Sequence, residues 1–245
     1  MLPNLPVVSY MTDSARFSLT VLLPVKVLAR AKSRLAVLAG DRRRELALAL
    51  AADTVAAVLA CPAVARVVVV TSDPVAGPLL AALGAVVVPD EPAGRGVPDS
   101  PDRLGDLGPQ ELLNAALRHG AAVASRRWPG TGLAALTADL PALRPAELAT
   151  ALRAAGGAAG RAVFVPDAAG VGTTLYAVPP GGDFLPLFGG ASRARHAASG
   201  AAEIDLDDMA GLRRDVDTPE DLQVVLALGA GPRTTALAGE LLADV

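Results

Sequence analysis

Apolar and polar positions change rhythm in blocks along the 245-residue chain. Short aliphatic and β-branched runs give way to longer stretches of helical spacing, and then return. The first run predicts a strand over 19–25, followed by a helix over 41–60 with Asp41 at its N-cap. The continuous run RVVVVT at 66–71 predicts a strand buried on both faces. A helix over 74–83, ended by Gly84, and a strand over 85–88 complete the first third. Residues 90–109 are rich in Gly, Pro and Asp and read as a loop, long for a connection inside a compact domain. A helix over 110–126 and a strand over 131–138 then lead into Asp139. The second half is less regular. It predicts helices over 145–155, 192–199 and 218–228, and strands over 161–165, 174–178 and 203–206, with 183–187 ambiguous. Thr218 and Pro219, with Glu220 and Asp221 in the first turn, form a strong helix start. Residues 231–245 fit either a frayed tail or one packing helix.

Strand and helix therefore alternate, which implies an α/β fold: a mostly parallel sheet with helices on both faces. One domain over 19–230 is expected, with an extension at 1–18 and a tail at 231–245. An apolar content of 52% is ample for one core, built from Ala, Val and Leu because aromatics make up only 3%. A net charge of −3, with no basic run and no aromatic ladder, argues against nucleic acid as a partner. The single cysteine, Cys61, rules out an internal disulfide and a cysteine-based metal cluster. No segment reads as a signal core or a membrane span, so a soluble, cytoplasmic protein is expected.

Candidate chemistry begins where the first strand ends. Of 22 lysines and arginines only two are lysines, Lys26 and Lys32, and both fall here with Ser33 and Arg34. Strand, basic loop, helix is an arrangement that holds phosphate chains, because backbone N–H groups and fixed cations face the anion. A plain solvated loop is the alternative. Asp139 stands at the C-terminal end of an apolar strand, the edge where open α/β sheets bind ligands. It would either cap the turn at Pro141 or hold Mg²⁺, a hard ion suited to one or two carboxylates plus substrate phosphates. Asp215 and Asp217 alternate onto one face of a short extended segment before a helix start, and metal binding and capping both remain open for them. The GVGTT turn at 170–174 would let backbone approach a phosphate or carboxylate. FGGAS at 188–192 repeats the idea, with Ser192 as N-cap and Arg193 and Arg195 nearby for an anion. His119 and His196 have no partner acid or nucleophile and read as surface or packing residues.

Six blocks in order, PVKVLARAKSRL, LLNAALRHG, LTADLPAL, GVGTTLY, FGGASRARH and RRDVDTPEDL, resemble the guanylyltransferases of coenzyme F-420 biosynthesis. The resemblance implies a Rossmann-like nucleotidyltransferase (GT-A-like) fold and an enzyme joining GTP to phosphoenolpyruvate or 2-phospho-L-lactate, with Mg²⁺ as cofactor. It implies that Lys26, Lys32, Ser33 and Arg34 bind the triphosphate and that Asn114 helps hold the nucleoside. Asp139 with Asp215 or Asp217 would bind the metal, and Asp139, Asp217 and Lys26 would carry the chemistry. Thr174, Gly189 and Ser192 would bind the acceptor, with Thr173 a substitute for Thr174. A composition typical of GC-rich coding favours phosphoenolpyruvate. Hand-over of the product to the next enzyme of the pathway stays open. The rival readings are a nucleotidyltransferase for molybdopterin or a sugar phosphate, and a non-catalytic nucleotide-binding module. The 90–109 loop and the 1–18 extension depart from the family pattern.

Overall fold

A computed structural model describes residues 19–26, 32–90, 108–158 and 160–243. The extension at 1–18, residues 27–31 of the basic loop and nearly all of the 90–109 loop lie outside the described residues. The strands are β1 (Leu19–Pro24), β2 (Val64–Val70), β3 (Val86–Val88), β4 (Gly132–Leu136), β5 (Val163–Pro166), β6 (Thr173–Val178) and β7 (Ala202–Glu203). They form one sheet in the order β3-β2-β1-β4-β6-β5-β7. All neighbours pair in parallel except β6, which runs antiparallel to both β4 and β5. The chain therefore starts mid-sheet, builds one half outward through β2 and β3, and returns to the other side of β1 with β4. The crevice between the C-terminal ends of β1 and β4 is the point of reversal at which such sheets bind ligands.

Helices cover both faces, as the buried strand runs require. They are α1 (Ala36–Ala39), α2 (Arg43–Leu59), α3 (Ala76–Ala82), α4 (Pro109–Arg127), α5 (Pro145–Gly156), α6 (Ser192–Ala198), α7 (Ala210–Arg213), α8 (Pro219–Leu228) and α9 (Pro232–Ala243). Helices α2, α3 and α5 bury Ala51, Val55, Leu80 and Leu152 against Val21, Leu23, Val67 and Val69. On the opposite face α4 sets Ala116, Leu117, Ala121 and Ala124 against Leu22, Val68, Val70 and Ala135. Gly120 brings α4 close to the sheet, since a Cβ there would lie 2.5 Å from Val70 Cγ2 and 3.0 Å from Leu22 Cδ2. A third cluster packs Leu46 and Leu50 of α2 with Val225 of α8 and Leu241 of α9. The C-terminal stretch is thus a packing helix. The Asp53 carboxylate, 4% exposed, accepts from the Thr234 amide at 2.7 Å and caps its first turn. No helix among the described residues is long and apolar enough to cross a membrane.

Three local expectations are corrected. Asp41 does not cap α2: residues Gly40–Arg42 wind a 3₁₀ turn, Gly40 at φ +50° interrupts the path, and the helix opens at Arg43. The second helix begins at Ala76 rather than Pro74, because the Asp73 carboxylate accepts from the amides of Val75 and Ala76 at 2.9 Å. The last strand is two residues long rather than four. The Ile204 amide still reaches Phe164 O at 2.8 Å, but the next donor on β5 would be Pro166, which has no N–H.

Candidate active site

Asp139 lies three residues beyond β4, and the loop before α8 is tied to it by backbone. The Val216 amide donates to Asp139 O at 3.1 Å, which carries Asp215 and Asp217 to the same spot. One carboxylate oxygen from each of Asp139, Asp215 and Asp217 lies within 4.8 Å of the others. The Leu140 amide donates to Thr54 Oγ1 at 2.9 Å, and that hydroxyl donates to Leu50 O, so α2 fixes the peptide that follows Asp139. Capping of α8 falls to its neighbours. Thr218 Oγ1 accepts from the Asp221 amide at 3.2 Å, while the Asp221 carboxylate accepts from the amides of Asp217 and Thr218. The side chains of Asp215 and Asp217 are left for another purpose.

Lys32 Nζ donates to Asp139 Oδ2 and, at 2.8 Å, to Asp217 Oδ1. Lys32 itself sits at φ +51°, a left-handed conformation costly for a side chain with a Cβ and held here where the loop must aim its ammonium inward. Burial would lower the Lys32 pKa, but the two carboxylates outweigh it and raise it. Asp217 shows the reverse balance. Burial would raise it, and the Lys32 ammonium, aided by Arg34 and Lys26, brings it below the usual carboxylate range. Asp215 is pushed up to about 7, first by burial and then by the charges of Asp139 and Asp217. At an effective dielectric near 20, two charged carboxylate oxygens within 4.8 Å of each other repel by about 3 kcal/mol or more. Lys32 offsets only part of that. Asp139 Oδ1 is in addition buried without a hydrogen-bond partner. A trio of hard oxygen donors, short of positive charge and with an orphaned acceptor, suits a divalent cation.

A cavity of about 250 Å³ opens beside the trio, lined by Lys26, Lys32, Thr137, Asp139, Asp217 and Phe188. Lys26, two residues beyond β1, and the exposed Arg34 both lie within electrostatic reach of Asp217. The side chain of Ser33 lies outside the described residues. Thr174 is 1% exposed on β6, and its hydroxyl lacks a partner, as does that of Thr137 opposite it. The Thr137 amide donates to Thr174 O at 3.0 Å, so the two side chains share a face of the sheet. Thr137 was missed from the sequence, although its i,i+2 spacing from Asp139 was a usable signal. Thr173 instead bonds His196 Nδ1 at 3.0 Å. His196 is fully buried and stacked on Tyr176, with ring centroids 4.8 Å apart, and is a packing residue as expected.

Several groups expected to face an anion already have partners within the protein. The GVGTT turn is closed on itself, because the Asp167 carboxylate accepts from the amides of Val171 and Gly172 at 2.9 and 2.8 Å. Arg193 is paired with Glu203 at 2.7 Å, and Arg195 donates to the carbonyls of Leu187 and Gly189. Ser192 is the first residue of α6 rather than its cap, with its amide turned back to Gly190 O at 2.8 Å. Its side chain is nonetheless buried beside Gly189 and Gly190, which take φ +95° and +44°. Asn114 faces this loop across α4, bonded to the backbone of Phe188.

A carboxylate trio and lysines meet at the reversal point of this sheet, and solved structures of nucleotide-processing enzymes share the fold. One is a putative nucleotide-diphospho-sugar transferase from Desulfovibrio desulfuricans, with TM-score 0.62 and 16% identity, matched over 91% of this chain and 97% of that one. CMP:2-keto-3-deoxy-manno-octonic acid synthetase, solved with CTP, matches at TM-score 0.50 and 15% identity over 86% and 98%. No family model matches the chain. Full-length relatives are much more similar. The phosphoenolpyruvate guanylyltransferase of Thermomonospora curvata is 57% identical over 230 residues, 94% of this chain and 92% of that one. That of Streptomyces coelicolor is 57% identical over 224 residues, 91% and 97%. The chain belongs to the phosphoenolpyruvate guanylyltransferase family.

Proposed function

We propose that the chain transfers GMP from GTP to the phosphate of phosphoenolpyruvate, releasing pyrophosphate, as a step of coenzyme F-420 biosynthesis. The cluster of Asp139, Asp215 and Asp217, beside a cavity lined by Lys26, Lys32, Asp139 and Asp217, carries this reading. Mg²⁺ is the cofactor: Asp139, Asp215 and Asp217 would hold it, and it would supply charge stabilisation to the α-phosphate and the leaving pyrophosphate. Lys26, Lys32, Ser33 and Arg34 bind the triphosphate, and Thr174, Gly189 and Ser192 hold the acceptor. An oxygen of the acceptor phosphate attacks the α-phosphorus in line as the bond to pyrophosphate breaks. That oxygen is already anionic, so no general base is needed, in keeping with a site whose nearby histidine is a packing residue. The main obstacle is repulsion between two polyanions, which the lysines and Arg34 offset.

Incubating the protein with GTP, Mg²⁺ and an equimolar mixture of phosphoenolpyruvate and 2-phospho-L-lactate, then weighing the products by mass spectrometry, tests this. Enolpyruvyl-diphospho-guanosine should dominate. A product from phospholactate alone would move the acceptor assignment, and no pyrophosphate release with either acid would favour a binding module.

A further inference from the structure

The 187–190 loop is built to be held from α4. Gln110 and Asn114 are one turn apart and share a helix face. A Cβ on Gly189 would lie 2.6 Å from Gln110 Cγ, so the loop presses directly on the first turn of α4. Asn114, 8% exposed, then treats Phe188 as a strand would treat its neighbour. Its Oδ1 accepts from the Phe188 amide at 2.9 Å, and its Nδ2 donates to Phe188 O at 3.1 Å. The second proton on Nδ2 goes to Gln110 O at 2.9 Å. Both amide donors are spent, and the assignment of oxygen and nitrogen is fixed because Phe188 N–H needs an acceptor. A side chain so engaged has no donor left for a nucleoside. The same Phe188 lines the cavity, and the acceptor reading proposed above puts the phosphoenol acid against its neighbours Gly189 and Ser192.

Resting on the acceptor reading above, we infer that Asn114 is a positioning residue for the acceptor loop and not a nucleoside contact. It fixes the Phe188 backbone, and through it Gly189 and the start of α6, at the height from which the phosphoenol acid is presented. His196 and Arg195 support the same loop from α6. His196 Nε2 accepts from the Leu187 amide at 3.0 Å, and Arg195 donates to the Leu187 and Gly189 carbonyls. Asn114 is the only member of this bracket among the described residues that ties the loop to a separate helix across the sheet face.

Asn114→Asp keeps the volume and the acceptor for Phe188 N–H but sets a second oxygen against Phe188 O. Its KM for phosphoenolpyruvate should rise about tenfold or more while the KM for GTP stays within about twofold, a split that general destabilisation would not produce. Asn114→Leu should show the same split more strongly if it folds. Hydrogen exchange on the free protein gives an activity-independent readout. The amides of Leu187 and Phe188 should exchange at least about tenfold faster in Asn114→Asp, with β1 and β4 unchanged. A raised KM for GTP with an unchanged KM for phosphoenolpyruvate, or unaltered exchange at Phe188, would overturn the assignment. Failure of the unmodified protein to turn over phosphoenolpyruvate would instead remove the functional reading, and the exchange result would still decide the role of Asn114 in holding the loop.

Discussion

Asp139 joins more of the site than any other residue. Its side chain takes the Lys32 ammonium, its carbonyl holds the 215–217 segment, and its Oδ1 is buried without a hydrogen-bond partner. Asp139→Asn keeps the volume and the backbone bond and removes the charge. Turnover should fall by about 10²–10³ or more with the melting temperature little changed; near-normal rates at saturating Mg²⁺ would refute the metal assignment. Thr54 acts one step further away, through the Leu140 amide. Thr54→Val leaves that buried N–H without an acceptor and should cost about 1–3 kcal/mol. It should also raise the Mg²⁺ concentration needed for half-maximal rate. Thr54→Ser, which restores the hydroxyl, should recover both. An unchanged Mg²⁺ requirement in Thr54→Val would show that α2 does not help place Asp139.

Among the elements, two dockings matter. Helix α4 carries the Asn114 face and reaches the sheet only because residue 120 has no side chain. Gly120→Ala forces Val70 and Leu22 aside, so it should destabilise by about 1–3 kcal/mol, and it should loosen the acceptor loop as well. Urea melts read the first effect and the KM for phosphoenolpyruvate the second. Helix α9 is docked by a buried charge on α2. Asp53 accepts from the Arg233 and Thr234 amides and faces the Arg233 guanidinium at 3.4 Å. Asp53→Ala removes an N-cap worth about 0.5–2 kcal/mol. Limited proteolysis should then cut residues 232–243 faster while the catalytic rate stays close to normal, since α9 lines no part of the cavity.

For the whole molecule, two perturbed groups set opposite pH slopes. His196 is pulled down to about 4, first by burial and then by Arg195. The unfolded chain binds the proton more readily, so the stability His196 contributes is complete above about 6.5 and is lost as pH falls through about 4. Asp215 is pushed up to about 7, so the native state holds that proton more tightly, and metal-free stability falls as pH rises from about 4 through 7. In chelator, Asp215→Asn should therefore melt at a higher temperature than the unmodified protein at pH 8, with the gap closing towards pH 4. Mg²⁺ should shrink or invert the gap at pH 8, because the carboxylate then gains a partner. A gap independent of pH would mean that Asp215 carries no such strain.

Sequence alone determined what periodicity and composition can encode. RVVVV had to be buried on both faces, Thr218 had to open a helix, and a carboxylate after an apolar strand had to face a sheet edge. Those facts depend on each residue and its near neighbours, and the α/β class and the candidacy of Asp139 follow from them, whereas capping and metal binding stay open for Asp215 and Asp217 until the fold brings them to Asp139. Other features depend on what arrives from far along the chain. The antiparallel run of β6, the two-residue length of β7, the closure of the GVGTT turn by Asp167 and the spending of Arg193 on Glu203 all required the folded partner. Lys32 meets carboxylates 107 and 185 positions away, and Asn114 meets a backbone 74 positions away. Periodicity says which side of an element is buried; only the packed sheet decides what it is buried against.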